Sequence, residues 1–538
     1  TNVSFEHTFM ASSLPSGTLD SWLILEKQWS PYTLSSSLSL SRDATLTVQD
    51  GVSLRISNGV TITVNGTMDV GGATLSSTGS GARWGGLILG ASAGASIDLA
   101  GTTLVEASPA ATISGDGSFT ADDSFFARSA SETLITVQAG SNAEIQLRDS
   151  HLQDAGDGCL RTFQSTGTFT LSNVTLTDCG GTGLWARQTP LAITDIVLGD
   201  GIDQGLDLTG VTGHIDGVHA QSFTGSSSLI SMNAVDGTFL LSDVSGLTGA
   251  AGGIVGSENR ALNLQNINLT GAPGIDIDRS AGTITDVHLS GDGSGTGMVF
   301  HHGRSLDTLY LTNLTVEQFS VGIGLHLDSD EQATPLIIRQ STVTASTSLA
   351  TEGYDVRFED TTLSGLVENY GAHVDFVDGA HDGITATEGG SFHAYRTFVL
   401  DAQRSGTPLN ADFTVQFPNS SLPDMTLSGT TIDAEILVQM VTDSSDTTAS
   451  SAQITAVATG SPPASVVVES LSTASRTVVI ALTVNQAPTA ELTEPSSGER
   501  VMEGDSIRAS VTVQDDIDSV DDLTISWNIF DVSGNSVL

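Results

Sequence analysis

The feature that most constrains this chain is a six-residue motif, apolar, any, Asp/Asn/Gly, any, any, apolar, that recurs twelve times between residues 99 and 363. Its third position reads Gly101, Asp123, Asp149, Asn173, Asp195, Gly217, Asp243, Asn266, Asp286, Asn313, Gln340 and Asp360. The mean spacing is about 23.5 residues, a period that identifies a repeat architecture rather than a single compact core. The first position is apolar in every copy, and the sixth is apolar in all but the copy ending at Gly246.

Asp, Asn and Gly share a tolerance for positive φ. The third position therefore predicts a left-handed bend between two strands, with Gln340 as the exception to the pattern. A repeat of this length accommodates three short strands and three bends, and parallel stacking advances about 4.8 Å per coil. The predicted fold is all-β, a right-handed parallel β-helix. An array of β-sandwiches would not need Asp, Asn or Gly at one recurring place. The Leu/Asn consensus of leucine-rich repeats and the tandem Gly-Gly-x-Gly-x-Asp of calcium-binding rolls are both missing.

Upstream, Leu38–Leu40, Ala44–Val48, Val52–Ile56 and Val60–Val64 alternate strictly, and Trp84-Gly85-Gly86-Leu87 follows. This series resembles the opening of microbial right-handed β-helix surface and secreted proteins, and the resemblance covers about residues 30–395. It implies the architecture and leaves function open, because the same helix carries adhesins, lyases, glycosidases and inert spacers. Residues 1–29 read as a lead-in or cap. Past residue 395 the coil pattern stops, and residues 396–484 show longer alternating strands such as Ala411–Val415 and Val478–Leu482. They resemble an immunoglobulin-like or transthyretin-like sandwich. Residues 485–538 resemble the first half of a second module of the polycystic-kidney-disease or cadherin-like kind. Such a module needs roughly 90–100 residues, so the chain reads as truncated.

Composition narrows the partners. With 62 acidic against 18 basic residues the net charge is −44, and Lys27 is the only lysine. Such a surface repels nucleic acid and anionic lipid, whose phosphates need cations. No run of about 20 apolar residues predicts membrane insertion, and the segment opens without a basic-plus-apolar leader. These features point to an extracellular or cell-surface protein. Cys159 and Cys179 stand close to one repeat apart, which allows either a disulfide between adjacent coils or two free thiols.

Catalytic sets known on this architecture are missing: the Gly-His-Gly and Arg-Ile-Lys of polygalacturonases do not occur, and Gly213-His214-Ile215 is the nearest approach. Asp122-Asp123 pairs two acids, but Asp123 falls in the bend column. His301-His302-Gly303-Arg304 is the densest basic group, suited either to an acidic sugar or to an exposed loop. The fifth repeat position points outward and carries His151, His219 and His288 among Thr175, Asn268 and Thr315, a polar face that suits glycans and solubility alike. The histidines fall three coils apart and cannot share one metal. Trp185 is a candidate for stacking on a sugar ring or for packing inside. Asp515, Asp516, Asp518, Asp521 and Asp522 could hold Ca²⁺, although their spacing matches no EF-hand and also suits a solvated acidic loop. No cofactor is required by any of these patterns. The leading expectation is a non-enzymatic adhesion or carbohydrate-binding protein with glycans or cell-envelope components as partners. A polysaccharide lyase or hydrolase acting on acidic glycans and a self-associating structural envelope component are the alternatives.

Overall fold

The computed structural model describes residues 7–8, 13–129, 132–235, 239–301, 308–327, 336–471, 476–484, 486–496, 506–515, 520–530, 533 and 535–536. The chain divides into two compact units, Thr1–Phe392 with Val441–Ser444, and His393–Met440 with Ser445–Leu538.

The first unit is a parallel β-solenoid. Each coil contributes a strand to a first, a second and a third sheet, as in Glu144–Arg148, His151–Ala155 and Gly158–Phe163. Every strand pairs in parallel with its counterpart one coil on: Ile145 with Phe169, Leu152 with Leu176, Leu160 with Leu184. Chain continuity and a right-handed crossover are what parallel strands of one sheet normally require. Pairing already joins Gly17–Leu19 to Leu38–Leu40 and Trp22–Leu25 to Thr45–Val48, so strands of the solenoid occupy part of the segment expected to be a lead-in. The alternating segments upstream of Trp84 all form strands of these ladders.

Alternation explains the packing. Side chains at every second position turn inward, so Phe119, Ile145, Phe169 and Leu191 stack in register and are all buried. Leu184, Leu206, Ile230 and Ile254 do the same in the third sheet. Each such residue contributes about 1.5–3 kcal/mol of burial, so the core is a column of layers rather than a sphere.

All twelve residues of the bend column have positive φ, from 46° at Asp123 to 88° at Gly217. Gln340 obeys the rule at 49° despite its side chain. The acidic and amide side chains also link successive bends: Asn173 donates to Asp149 and Asn313 to Asp286, each at 2.6 Å, and Asn266 donates to Asp243. Gln340 is exposed and has a conformation that glycine adopts without cost. Gln340→Gly is therefore expected to stabilise the first unit by about 0.5–1 kcal/mol in urea unfolding, the gain from relieving a left-handed side-chain penalty.

Cys159 and Cys179 form a disulfide with Cα atoms 5.4 Å apart. Both are fully buried, and the bridge ties the third-sheet strand of one coil to the end of the second-sheet strand of the next.

The second unit is antiparallel in its main sheet, where the strands run in the order Met425–Gly429, Ala411–Gln416, Ala452–Val457, Ala464–Val468. Phe398–Arg404 pairs in parallel with Arg476–Leu482, and Phe398, Phe413, Ile436, Ile454 and Ile480 are buried. Thr489–Glu494 and Ser510–Gln514 form a separate two-stranded antiparallel sheet.

Candidate functional site

The outward column of the second sheet brings together six of the residues singled out by sequence. His151, Thr175, Val197, His219, Ser245, Asn268, His288 and Thr315 are successive register partners, with the three histidines three coils apart. Each histidine is engaged by its neighbours. His151 Nε2 hydrogen-bonds Thr177 at 2.9 Å, His219 Nδ1 bonds Ser245 at 3.0 Å, and His288 stands 3.6 Å from Glu317. Burial lowers the pKa of His151, with the charge of Asp178 opposing.

Trp185 stands apart from them, half-buried on the outer face of the third sheet. That sheet also holds a depression that sequence reasoning missed. In one outward column Asp276, Val299, Gly324, Ala350 and Glu368 are register partners. In the column two residues on, the partners are Asp278, His301, His326, Glu352 and Tyr370. Where Gly324 and Ala350 fall side by side, the surface sinks into an open groove of about 570 Å³.

The groove's rim is polar and prearranged. His326 Nδ1 lies 2.7 Å from the Glu352 carboxylate, and the His301 ring meets His326 edge to face at 6.1 Å. His301 Nε2 is 3.5 Å from Asp276. Burial raises the pKa of Asp276, against the opposing influence of His301 and with the help of Asp278. Tyr370 is 52% exposed and donates its hydroxyl to Glu388 at 3.3 Å. The Glu388 charge, with smaller effects from burial and Glu352, raises the pKa of the phenol, so Tyr370 stays a proton donor at neutral pH. Together these groups offer donors, acceptors, an exposed ring and a histidine–carboxylate pair able to exchange a proton.

A signal for this site did exist in the sequence. Gly297-Met298-Val299-Phe300-His301 and Gly322-Ile323-Gly324-Leu325-His326 repeat one pattern, as do Gly183-Leu184-Trp185-Ala186-Arg187 and Gly205-Leu206-Asp207-Leu208-Thr209. These are third-sheet strands, and their third and fifth residues face outward. Of the basic tetrad, His302, Gly303 and Arg304 lie outside the described residues. Of the acidic cluster, Asp516 and Asp518 lie outside them too, as does the side chain of Asp522; Asp515 directly follows the strand Ser510–Gln514 and Asp521 lies in a short 3₁₀ turn. Among the described residues no helix is long and apolar enough to cross a membrane.

The strand pairing and this polar third-sheet face define a parallel β-solenoid with a surface groove. No protein-family model and no curated protein sequence matches the chain. Solved structures with a distant likeness include the following three. The A-module of a mannuronan C-5 epimerase from Azotobacter vinelandii is 12% identical, with 69% of this chain and 91% of that chain covered and a TM-score of 0.27. A periplasmic alginate epimerase is 12% identical over 64% and 85%, with a TM-score of 0.29. A tailspike protein of an E. coli bacteriophage, in complex with a pentasaccharide, is 9% identical over 78% and 86%, with a TM-score of 0.27. The fold assignment rests on this chain's own pairing.

Proposed function

We propose that the chain is an extracellular or cell-surface carbohydrate-binding protein whose solenoid is a rigid platform and whose third-sheet groove holds a glycan. The observation that carries this reading is the depression over Gly324 and Ala350, bordered by His326, Glu352, Glu368 and the exposed ring of Tyr370. A sugar presents hydroxyls in fixed directions and an apolar C–H face, and it is matched by convergent polar side chains beside an aromatic ring. Rigid strands hold these groups at low entropic cost. The disulfide supports an oxidising compartment. The small antiparallel sheets of the second unit fit a role as Ig-like spacers.

The Gly324 backbone has room for a side chain, since a Cβ there would meet nothing closer than 3.4 Å. Gly324→Leu is expected to fill the groove without disturbing the core and to abolish binding on an oligosaccharide array, and Tyr370→Ala is expected to weaken it about tenfold. Unchanged binding by Gly324→Leu sinks the assignment. The His326–Glu352 pair favours a second reading, acid–base turnover of the bound glycan. New reducing or unsaturated ends that disappear in His326→Ala would establish it.

A further inference from the structure

The groove occupies one end of a longer outward face, and the same third sheet carries a second cluster of different chemistry. Arg161, Trp185 and Asp207 are register partners on consecutive coils, and Phe163 pairs with Arg187 in the column two residues on. The guanidinium carbons of Arg161 and Arg187 each lie 4.5 Å from the centre of the Trp185 ring. The Phe163 ring stacks near it, with centroids 6.0 Å apart and planes 25° from parallel. A cavity of about 230 Å³ opens beside Arg161 and Trp185.

Two cations this close are conspicuous in a chain of net charge −44. Both arginines are exposed, and among the described residues neither has a carboxylate within 4.0 Å. Two acids are nearby: Asp157 lines the same cavity as Arg161 and Trp185, and Asp207 has its pKa raised by burial while the Arg187 charge and the Trp185 indole oppose. A guanidinium that lies flat on an indole has its N–H edges directed away from the ring, and both arginines stand close enough to Trp185 to do so. Those edges form forks that pair bidentately with a carboxylate or a sulfate. The remainder of the surface repels dense polyanions, so a saccharide with isolated acidic groups suits the cluster better than a nucleic acid.

We infer that Arg161, Trp185 and Arg187 form an anion-recognition station for the carboxylate or sulfate of an acidic saccharide, with Trp185 as the plate that orients both guanidiniums. The inference rests on the glycan reading of the groove and extends it to the charge of the ligand. Trp185 and Gly324 lie in one outward column, six coils apart in register, or about 29 Å at the spacing of parallel strands. An extended chain laid along the sheet would meet both.

Trp185 is its own reporter. Titration with glucuronate-containing oligosaccharides, with the same oligosaccharides after carboxyl reduction, and with sulfated neutral oligosaccharides, is read by tryptophan emission against Trp185→Phe as the blank. The expected result is a change with the uronate or sulfated forms, absent after carboxyl reduction, weakened by salt, and reduced about tenfold or more on removal of each arginine by Arg161→Ala or Arg187→Ala. The relative response to uronate and sulfate distinguishes the two anions. Arg161→Lys with Arg187→Lys keeps the charge and loses the fork, and is expected to recover only part of the affinity. Circular dichroism checks that these exposed substitutions leave the fold intact. Equal binding of the carboxyl-reduced and acidic forms, or undiminished binding by the double alanine variant, overturns the station. Gly324→Leu should leave the response of a short acidic saccharide unchanged while abolishing neutral-glycan binding. Loss of the first effect alone removes the station, and loss of the second alone removes the groove.

Discussion

Gly86→Ala is expected to destabilise the first unit by about 3 kcal/mol, whereas Gly85→Ala, one residue earlier, should cost about 1 kcal/mol or less. Gly86 has φ of +80°, and a Cβ built there would stand 2.0 Å from the Pro109 carbonyl oxygen and 2.9 Å from that of Ala110. Both obstacles are backbone of the next coil. That backbone cannot retreat, because Leu87 donates to Ala110 at 2.9 Å and Ser108 donates to the Trp84 carbonyl at 2.9 Å. At Gly85 the nearest obstacle is a methyl of Thr61, a side chain that can turn away, and the nearest backbone atom, the Gly59 carbonyl oxygen at 3.2 Å, needs to give by only a few tenths of an ångström. The Trp-Gly-Gly-Leu sequence is thus a close approach of two coils, with Trp84 fully buried and its indole N–H donating to Val105 at 3.0 Å.

In a solenoid each coil contacts only its neighbours, so the damage should be local. Hydrogen exchange should accelerate over residues 60–113 in Gly86→Ala, with the coils beyond residue 200 unaffected, and urea unfolding followed by tryptophan emission should show the early loss. Equal costs at Gly85 and Gly86 would show that the close approach is not what selects glycine there.

The bend column was legible because it is written in backbone chemistry. Asp123, Asn173 and Gly217 differ in almost everything except their tolerance of positive φ, and that tolerance is what the bend requires. The outward column from His151 to Thr315 was legible for a related reason, since it stands at a fixed offset from each bend. The groove was legible only in part: the strands Gly297–His301 and Gly322–His326 repeat one pattern, but the residues that join them at the groove do not fall at one period. His301 and His326 are 25 residues apart, His326 and Glu352 are 26, and Glu352 and Tyr370 only 18, so coil length changes between neighbours that end up in register. No constant period aligns them, and only the strand pairing does. The depression also depends on what is missing, the side chains at Gly324 and Ala350, which carry no chemical signal of their own. Trp185 shows a third kind of limit. Its residue type suggested stacking, but the ring's neighbours Arg161 and Phe163 come from the preceding coil.

Removing the disulfide with Cys159→Ala and Cys179→Ala is expected to cost about 3 kcal/mol, the chain-entropy value for a bridge closing a loop of this length. Alanine is the appropriate replacement because both sulfurs are fully buried, and a serine would add an unsatisfied hydroxyl to the loss of the crosslink. The bridge constrains only openings that separate the two coils it joins, so fraying at residues 17–64 should be unchanged. Exchange protection should fall instead across Glu144–Arg187, the coils on either side of the bridge. Those coils also carry Arg161 and Trp185, and Cys159 lies two residues before Arg161 on the same strand. Loss of the bridge should therefore weaken the response of Trp185 to an acidic saccharide more than it weakens binding in the groove over Gly324. If reduced and oxidised protein show the same protection across Glu144–Arg187, the crosslink contributes nothing to the local stability of the coils that present the two arginines.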